Sequence, residues 1–428
     1  MPSLPFYSRY TRGLHLRAEL LNNVFTAVVG LAITIARKTL GASDDWITIL
    51  TTAGPAANLT AIFWANAMEG RAKRPFILGA AVLGRLSLAF MAFAVEPPLF
   101  VLLCCLYFLS EPAFIPAQNA LLQANYLPSI RGRVFGGITG VARIAYLVTA
   151  LAAGWVLDHD GDAYRWMLPV AGVIGTAAYF QYARIRVRRW DAPETVKERG
   201  VVDALRGFLR ILREDREFDR FERNFMLYGI AFMMVMPIHI YLLIDVLEMS
   251  YTQVTWCSMI LLQVVIVIGS RTAGRLLDRL GPCRLAAIAF AALVGYLGLL
   301  ACAAVTRSVP LAFAGFGMFG IGMAGVNSAW SLGAMRFAGD RDASGYMGAH
   351  VACVGVRGLF GPAIGNAIFL AVEGPWLGLP GYGMMTVYVV AAILMAAAAI
   401  EMFRQGRRTE GTPAAGSAAQ EPAALARG

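Results

Sequence analysis

The stretch that separates two long apolar segments of this chain reads Gly274-Arg275-Leu276-Leu277-Asp278-Arg279-Leu280-Gly281. It contains two glycines, one carboxylate and two guanidinium groups, a composition that predicts a short charged loop. Apolar runs of about twenty residues lie on both sides, and about twenty apolar residues in a helix span about 30 Å of hydrocarbon. We therefore predict that this octet joins two membrane-spanning helices.

The composition of the chain is that of a polytopic membrane protein. Of its 428 residues, 58% are hydrophobic and 15% are charged, and the mean hydropathy is +0.60. Soluble domains carry about 25% charged residues. The apolar residues fall into twelve runs, so we predict an all-α membrane protein with twelve transmembrane helices in two pseudo-symmetric bundles of six.

The domain boundaries follow from the apolar runs. We place a short N-terminal segment at residues 1–17, the first bundle at 18–184 and the second bundle at 223–404. A charged linker, 185–222, joins the bundles. The last residues, 405–428, are rich in Ala, Gly, Glu and Pro, which is typical of a disordered tail.

We place the seventh helix at residues 224–245 and the eighth at 252–273. Within the linker, residues 201–213 alternate apolar and arginine positions at helical spacing. This pattern predicts either an amphipathic helix in the headgroup layer or a solvated linker helix.

The net charge of +10 reflects membrane topology. Of the 37 Lys and Arg residues, 30 lie in alternate loops or the termini, three lie within predicted spans, and four lie on the opposite face of the membrane. Because Lys and Arg accumulate in cytoplasmic loops, we expect both termini in the cytoplasm, a location in the bacterial inner membrane, lipid contacts, and no nucleic-acid partner. The four on the other face are Arg37, Lys38, Arg165 and Arg307.

No motif for an enzyme, metal site or cofactor is present in the sequence. There is no G-x-x-x-x-G-K-[ST] phosphate loop and no H-E-x-x-H pattern, and the four histidines lack metal-ligand spacing. The six cysteines fall in or beside apolar runs, which suits small core residues. We expect no cofactor, and any transport would draw on an ion or solute gradient.

The octet resembles the signature G-x-x-x-D-R-x-G of the major facilitator superfamily, which follows the second and eighth helices of those transporters. After the second helix this chain reads Met68-Glu69-Gly70-Arg71-Ala72-Lys73-Arg74, a degraded copy. The resemblance covers about residues 15–404. It implies a transporter, which we expect to be a monomer, whose two bundles rock about a central site.

The resemblance also implies that the octet is a conformational latch. Asp278 would pair with or cap groups of the opposite bundle, and Arg275 and Arg279 would bind carboxylates or lipid headgroups. The residues assigned to this latch are Gly274, Arg275, Asp278, Arg279 and Gly281.

The two halves repeat weakly. Ser43 and Pro75 stand 207 positions before Ser250 and Pro282. The fifth and eleventh helices each carry one arginine at a similar depth, which extends the repeat into the membrane.

Ionisable residues within spans are the strongest candidates for function, because each costs at least about 2.5–3.5 kcal/mol at a helix centre unless it is paired or hydrated. Glu111 in the fourth helix either forms a packing pair with Arg143 or Arg85, or carries a proton or a substrate. Arg85 lies on a helix that resembles the outer layer of the family fold, so we assign it a structural role. If Arg143 and Arg357 both face the cavity, an anion is favoured; if Glu111 neutralises Arg143, that argument weakens.

By the same resemblance, helices one, four, seven and ten form the cavity wall. His239 is either a site residue or a satisfied core histidine, and Asn327 with Trp330 forms either a ligand-binding face or core packing. Asn22 and Asn23 either face the site or serve helix packing. The polar residues that these helices supply are Asn22, Asn23, Glu111, Gln118, Asn119, His239, Asn327 and Ser331.

We therefore predict a secondary active transporter, a symporter or an antiporter, for a small polar and anionic organic solute, with protons coupled through Glu111. Two alternatives stay open: efflux of amphipathic compounds, and a non-transporting membrane scaffold. The Gly-Pro pair of facilitator exporters belongs in the fifth helix, which here reads Ala150-Leu151-Ala152-Ala153-Gly154. The pair occurs instead at Gly361-Pro362 in the eleventh helix. The absence of the exporter signature from the fifth helix favours import.

Overall fold

The computed structural model describes residues 6–68, 71–126, 128–187, 210–338, 343–374, 377–378 and 382–409. Almost all of these residues are helical. Ten helices in the described part are long and apolar enough to cross a membrane. The helical segments 44–68 and 164–183 lie between them, an order consistent with twelve spans. The prediction of an all-α membrane protein is confirmed.

In the part of the chain that the structure describes, the first bundle contains six helices, several of which are composed of shorter pieces. They are α1 (Phe6–Val29 and Ala32–Lys38), α2 (Asp44–Ala57, Asn58–Thr60 and Ala61–Met68), α3 (Arg74–Gly79, Ala80–Arg85 and Leu86–Phe93), α4 (Pro97–Asn125), α5 (Pro128–His159) and α6 (Tyr164–Ala183).

Among the described residues, the second bundle likewise contains six helices. They are α7 (Arg216–Met234, Met236–Tyr241 and Leu242–Val246), α8 (Tyr251–Val254, Thr255–Leu261 and Leu262–Leu280), α9 (Pro282–Thr306), α10 (Val309–Ala338), α11 (Ala343–Glu373) and α12 (Gly383–Thr409).

The hydrogen bonds define two sides of the molecule. We call the side that carries the start of α1 and the end of α12 the terminal side, where the Tyr10 hydroxyl donates to the Arg184 carbonyl at the end of α6. On the opposite side, the distal side, the end of α1 meets the end of α7 through Arg37 and Asp245. The repeat of the halves is visible in the caps: Ser43 and Ser250 are the N-cap residues of α2 and α8.

The octet is helical, so its prediction as a loop was wrong. Its first seven residues form the last two turns of α8, which ends at Leu280 and has Gly281, with φ +82°, as its C-cap residue. Leu277 is buried whereas Arg275 and Asp278 are exposed, so this part of α8 is an amphipathic helix with one packed face. The positive φ of Gly281 turns the chain directly into α9.

The predicted disordered tail begins too early. Helix α12 continues to Thr409, because the buried amide of Gln405 donates to the Glu217 carbonyl at 2.7 Å and accepts from Asn224 at 3.3 Å. These bonds tie α12 to the first turns of α7, which starts at Arg216 rather than at the predicted residue 224. Residues 410–428 lie outside the described residues, as does the predicted amphipathic helix apart from residues 210–213.

Candidate functional site

A buried ion pair lies at the centre of the first bundle. Arg85, on the π-helical turn of α3, is only 1% exposed. Its Nε and Nη2 donate to the two carboxylate oxygens of Glu111 on α4 at 3.1 and 3.3 Å, and its Nη1 donates to Asn22 Oδ1 at 2.7 Å. The Tyr179 hydroxyl of α6 donates to Glu111 Oε1 at 2.8 Å. We call these four residues the Arg85 cluster.

Aromatic faces complete the environment of the arginine. The guanidinium carbon lies 3.5 Å from the Tyr179 ring centre and 4.3 Å from that of Phe25, distances at which the ring quadrupole attracts a cation. The Glu111 side chain is 23% exposed. The arginine is therefore sealed inside the bundle, whereas its carboxylate partner stays accessible, and π-helical turns of this kind often occur at functional sites.

Glu19 on α1 is a second carboxylate of this bundle and was not among the predicted site residues. Its Oε1 accepts from Gln118 Nε2 at 3.1 Å and from the Tyr182 hydroxyl, and its Oε2 accepts from Asn23 Nδ2 at 3.3 Å. The predicted first helix began at residue 18 and left Glu19 at the membrane edge, but α1 begins at Phe6. The four-residue spacing of His15, Glu19 and Asn23, which places them on one helix face, was the available signal.

Both carboxylates are held by the same two helices. Glu111 and Gln118 lie seven residues apart on α4, about 10 Å along the axis, and Tyr179 and Tyr182 lie one turn apart on α6. Each carboxylate accepts a hydrogen bond from one of these tyrosines. Glu19 and Glu111 thus form two successive polar layers that run toward the terminal side.

Aromatic residues close this polar series at its terminal end. His15 Nδ1 lies 3.2 Å from the Tyr126 hydroxyl, and the imidazole packs edge-on against Phe135 with ring centres 5.1 Å apart. Burial raises the pKa of the Tyr126 phenol, so Tyr126 acts here as a neutral hydrogen-bonding group.

Arg143 of α5 is not part of the Arg85 cluster. It is half-buried, and its guanidinium lies 5.1 Å from the Tyr146 ring centre. Within the described part of the chain, no carboxylate lies within ion-pair distance of it. Arg143 shares a face of α5 with Gly154, eleven residues later, and Gly154 contacts Tyr251 and Thr255 of α8 in the other bundle. Arg143 therefore faces the space between the bundles, on the terminal side of that contact.

The distal side is the closed end of this space. Arg37 donates to Asp245 Oδ2 at 2.5 Å, and Asp158 accepts from the backbone N–H groups of Tyr251 and Thr252 at 2.6 and 2.9 Å. For the residues that are described, every hydrogen bond that joins the two bundles lies on this side. We call these contacts the distal closure.

Arg357 lies inside the second bundle, between α11 and α7. It is 6% exposed, its Nη1 donates to the Phe225 carbonyl at 2.6 Å, and its guanidinium lies 5.8 Å from the Tyr228 ring centre. It packs closely on Gly229, where an added Cβ would overlap the arginine side chain. Arg143 and Arg357 are thus not brought together.

Two further ionisable residues, Glu222 and His350, lie near Arg357 and were not among the predicted site residues. His350 Nδ1 is 2.6 Å from Glu222 Oε1. Glu222 had been placed in the linker because the predicted seventh helix began at residue 224, and nothing in sequence spacing connects two residues 128 positions apart.

The other predicted residues are dispersed. His239 hydrogen-bonds the Tyr296 hydroxyl and lies within 6.0 Å of the Tyr388 ring centre, the surroundings of a core histidine. Asn119 and Asn327 are exposed on α4 and α10. The side chain of Ser331 lies outside the described part of the structure. The roles of these residues and of the latch stay predictions.

Comparison with solved structures identifies the architecture. A bacterial homologue of the human lysosomal transporter Spinster, in an inward-facing and unoccupied conformation, superposes with a TM-score of 0.67 and 16% identity over 96% of this chain and 100% of that chain. A D-xylose–proton symporter superposes with a TM-score of 0.67 and 15% identity over 95% of this chain and 99% of that chain. At these identities the likeness shows the fold alone.

Sequence comparison gives the family. The multidrug resistance protein MdtH of Photorhabdus laumondii is 30% identical over 129 residues, which span 29% of this chain and 32% of that protein. The family model described as Major Facilitator Superfamily matches residues 18–362. The chain therefore belongs to the Major Facilitator Superfamily and is a membrane transporter rather than an enzyme.

Proposed function

We propose that the chain is a proton-coupled secondary transporter of a small, polar, anionic organic solute. Arg143 contributes the anion-binding guanidinium, and Glu111 carries the coupled proton. We further infer that the terminal side faces the cytoplasm of an inner membrane, because the Lys and Arg residues concentrate there. The described conformation is then closed to the outside.

The observation that carries the proposal is the partner of Glu111. Glu111 bonds to Arg85, which lies inside the bundle, and this leaves Arg143 with an aromatic neighbour but no carboxylate among the described residues. A half-buried guanidinium without an acidic partner is a donor fork suited to carboxylate or phosphate groups.

The charge of the Arg85 cluster provides a physical reason for coupling. With Glu111 ionised the cluster is neutral, and with Glu111 protonated it carries the full charge of Arg85. A proton on Glu111 therefore raises the affinity of the nearby space for an anion, and by linkage a bound anion raises the affinity of Glu111 for the proton. Binding of both favours symport.

A thermal-shift screen of anionic, neutral and cationic organic solutes tests the substrate class. We expect anions to raise the unfolding temperature of the wild-type protein, and Arg143→Gln to remove that shift. Arg165→Gln is the matched control, because Arg165 lies on the distal side and donates to the Ala92 carbonyl within the first bundle. Stabilisation by cations alone, or an anion response that survives Arg143→Gln, contradicts the proposal.

The second candidate is efflux of amphipathic compounds. It is supported by the partial match to a protein named for multidrug resistance and by the carboxylates Glu19 and Glu111, which suit cationic amphipaths. The same screen separates the candidates, because this function predicts stabilisation by amphipathic cations that depends on Glu19. A scaffold protein predicts no solute flux into proteoliposomes at all.

A further inference from the structure

A buried acid–base pair lies in the second bundle, away from Glu111. The side chains of Glu222 on α7 and His350 on α11 are 4% and 1% exposed, and Glu222 Oε1 lies 2.6 Å from His350 Nδ1. Phe221 and Phe225 pack on the imidazole with ring centres 6.0 and 5.1 Å away. The pair is therefore enclosed by apolar groups, a setting in which an ionised carboxylate is costly unless it is compensated.

The second polar atom of each side chain has no hydrogen-bond partner in the described structure. Glu222 Oε2 and His350 Nε2 are both buried and unsatisfied. A buried polar atom without a partner destabilises the folded protein, and such atoms in native proteins call for an explanation such as a functional role or a bound water.

The charged and titratable groups that face the pair are few. Cys353 and Arg357 lie on the same helix as His350; the Cys353 thiol is a weak hydrogen-bond donor toward Glu222, and Arg357 interacts with Glu222 electrostatically. Arg357 lies two turns from His350, about 10 Å along the axis, and donates to a backbone carbonyl rather than to Glu222. On α10 the described neighbour is Trp330, whose ring centre lies 5.2 Å from that of His350.

We propose that Glu222 and His350 form a second proton-binding site, located in the second bundle. When the pair is deprotonated, the carboxylate faces a neutral imidazole; one added proton converts the pair into a carboxylate–imidazolium ion pair. Both groups stay within one bundle when the bundles move, so the site is independent of the distal closure. A role in coupling rests on the proposed proton-driven transport, whereas proton binding itself does not.

The fluorescence of Trp330, whose indole lies beside His350, makes proton binding to the pair measurable without a substrate. An imidazolium quenches the fluorescence of an adjacent tryptophan more strongly than a neutral imidazole does. Trp155 also has a neighbouring histidine, His159, with ring centres 4.2 Å apart. The pH dependence of Trp155 fluorescence must therefore first be removed by His159→Gln. The fluorescence of Trp330 is then the difference between this background and the same background with Trp330→Phe, recorded on the purified full-length protein from pH 4.5 to 9.

We expect the Trp330 signal to fall by about half as the pH is lowered and to lose this transition in His350→Gln. In Glu222→Gln the transition should move to lower pH, because the variant lacks the negative charge that favours the imidazolium. His239→Gln, which changes another histidine of the same bundle, should leave the transition unchanged. A Trp330 signal that is independent of pH, or a transition that survives His350→Gln, would overturn the proposal.

Transport assays give a separate outcome. If the protein carries a solute with protons, Glu222→Gln should shift the pH profile of uptake in the same direction as the fluorescence midpoint. Absence of proton-driven flux in the wild-type protein contradicts the proposed function and leaves the fluorescence test of the site intact.

Discussion

Replacing Asp158 and Asp245 by asparagine should shift the protein toward a conformation that is open on the distal side. Both carboxylates join the bundles only in the closed form: Asp245 accepts from Arg37, and Asp158 accepts from the first N–H groups of α8. Arg37 keeps a second partner within its own bundle, Asp44 at 2.9 Å, so the double variant leaves no arginine unpaired.

The expected change in the free energy of the closed form can be estimated from the solvent exposure of the residues that form these contacts. Arg37 and Asp245 are 21% and 34% exposed, so their ion pair contributes about 0.5–1 kcal/mol. The charge of Asp158 at the start of α8 adds about 0.3–1 kcal/mol. Because these contacts are separate, their effects should add. A total of about 1–2 kcal/mol raises the distally open population about 5- to 30-fold.

The labelling rate of a thiol introduced by Met249→Cys reports this population, because Met249 is fully buried at the distal closure. The six native cysteines must be replaced first, and the reagent should be a maleimide that cannot cross the membrane. Arg165→Gln removes a distal charge that does not join the bundles, and it should leave the rate unchanged. A rate that stays within about twofold of the parent in the double variant refutes the assignment of these carboxylates as the closing contacts.

Three further changes test individual sites. Glu111→Gln should destabilise the protein by about 3–5 kcal/mol in thermal unfolding, because it strands the charge of Arg85 inside the bundle, and adding Arg85→Gln should restore much of the loss. Gly229→Ala should cost about 1–3 kcal/mol, because its Cβ displaces the packed side chain of Arg357. Asp278→Asn should slow uptake by proteoliposomes while substrate affinity is kept, because Asp278 is exposed in this conformation and would act only in the opposite one.

For each of these three substitutions, one result would contradict the physical reason given for it. Gly298→Ala is the control for Gly229, because an added Cβ there meets no atom within 4 Å, and equal destabilisation by the two substitutions contradicts the packing argument. Failure of Arg85→Gln to rescue Glu111→Gln means that the loss does not come from an unpaired arginine. Unchanged uptake by Asp278→Asn rules out the latch.

The fold class could be predicted from the sequence because it depends on local properties. Apolar runs of span length and the charged octet identified the membrane architecture and the family. The secondary structure of the octet was predicted wrongly from the same local pattern. Its charge and glycine content suggested a loop, whereas an amphipathic helix continues to Leu280. The extension of α12 beyond Gln405 depends on hydrogen bonds to α7. The local sequence around Gln405 does not indicate these distant partners.

The partners within the membrane could not be derived because they depend on helix rotation. Glu111 had two candidate arginines at similar depth, and the choice of Arg85 reflects the irregular π-helical turn of α3, which is not readable from composition. Glu19 and Glu222 were missed for a different reason. Each lies on a helix that begins earlier than its apolar residues indicate, so the predicted helix boundaries left both at the edge of the membrane or outside it.

Uptake under an imposed proton gradient tests the central claim most directly. Proteoliposomes with wild-type protein should accumulate the anion identified by the thermal-shift screen. The double variant Glu111→Gln, Arg85→Gln keeps the bundle free of unpaired charge, so it should still exchange the solute across the membrane but should not accumulate it when the gradient is applied. Gradient-driven accumulation by this variant equal to that of the wild type would contradict the role of Glu111 as the proton carrier.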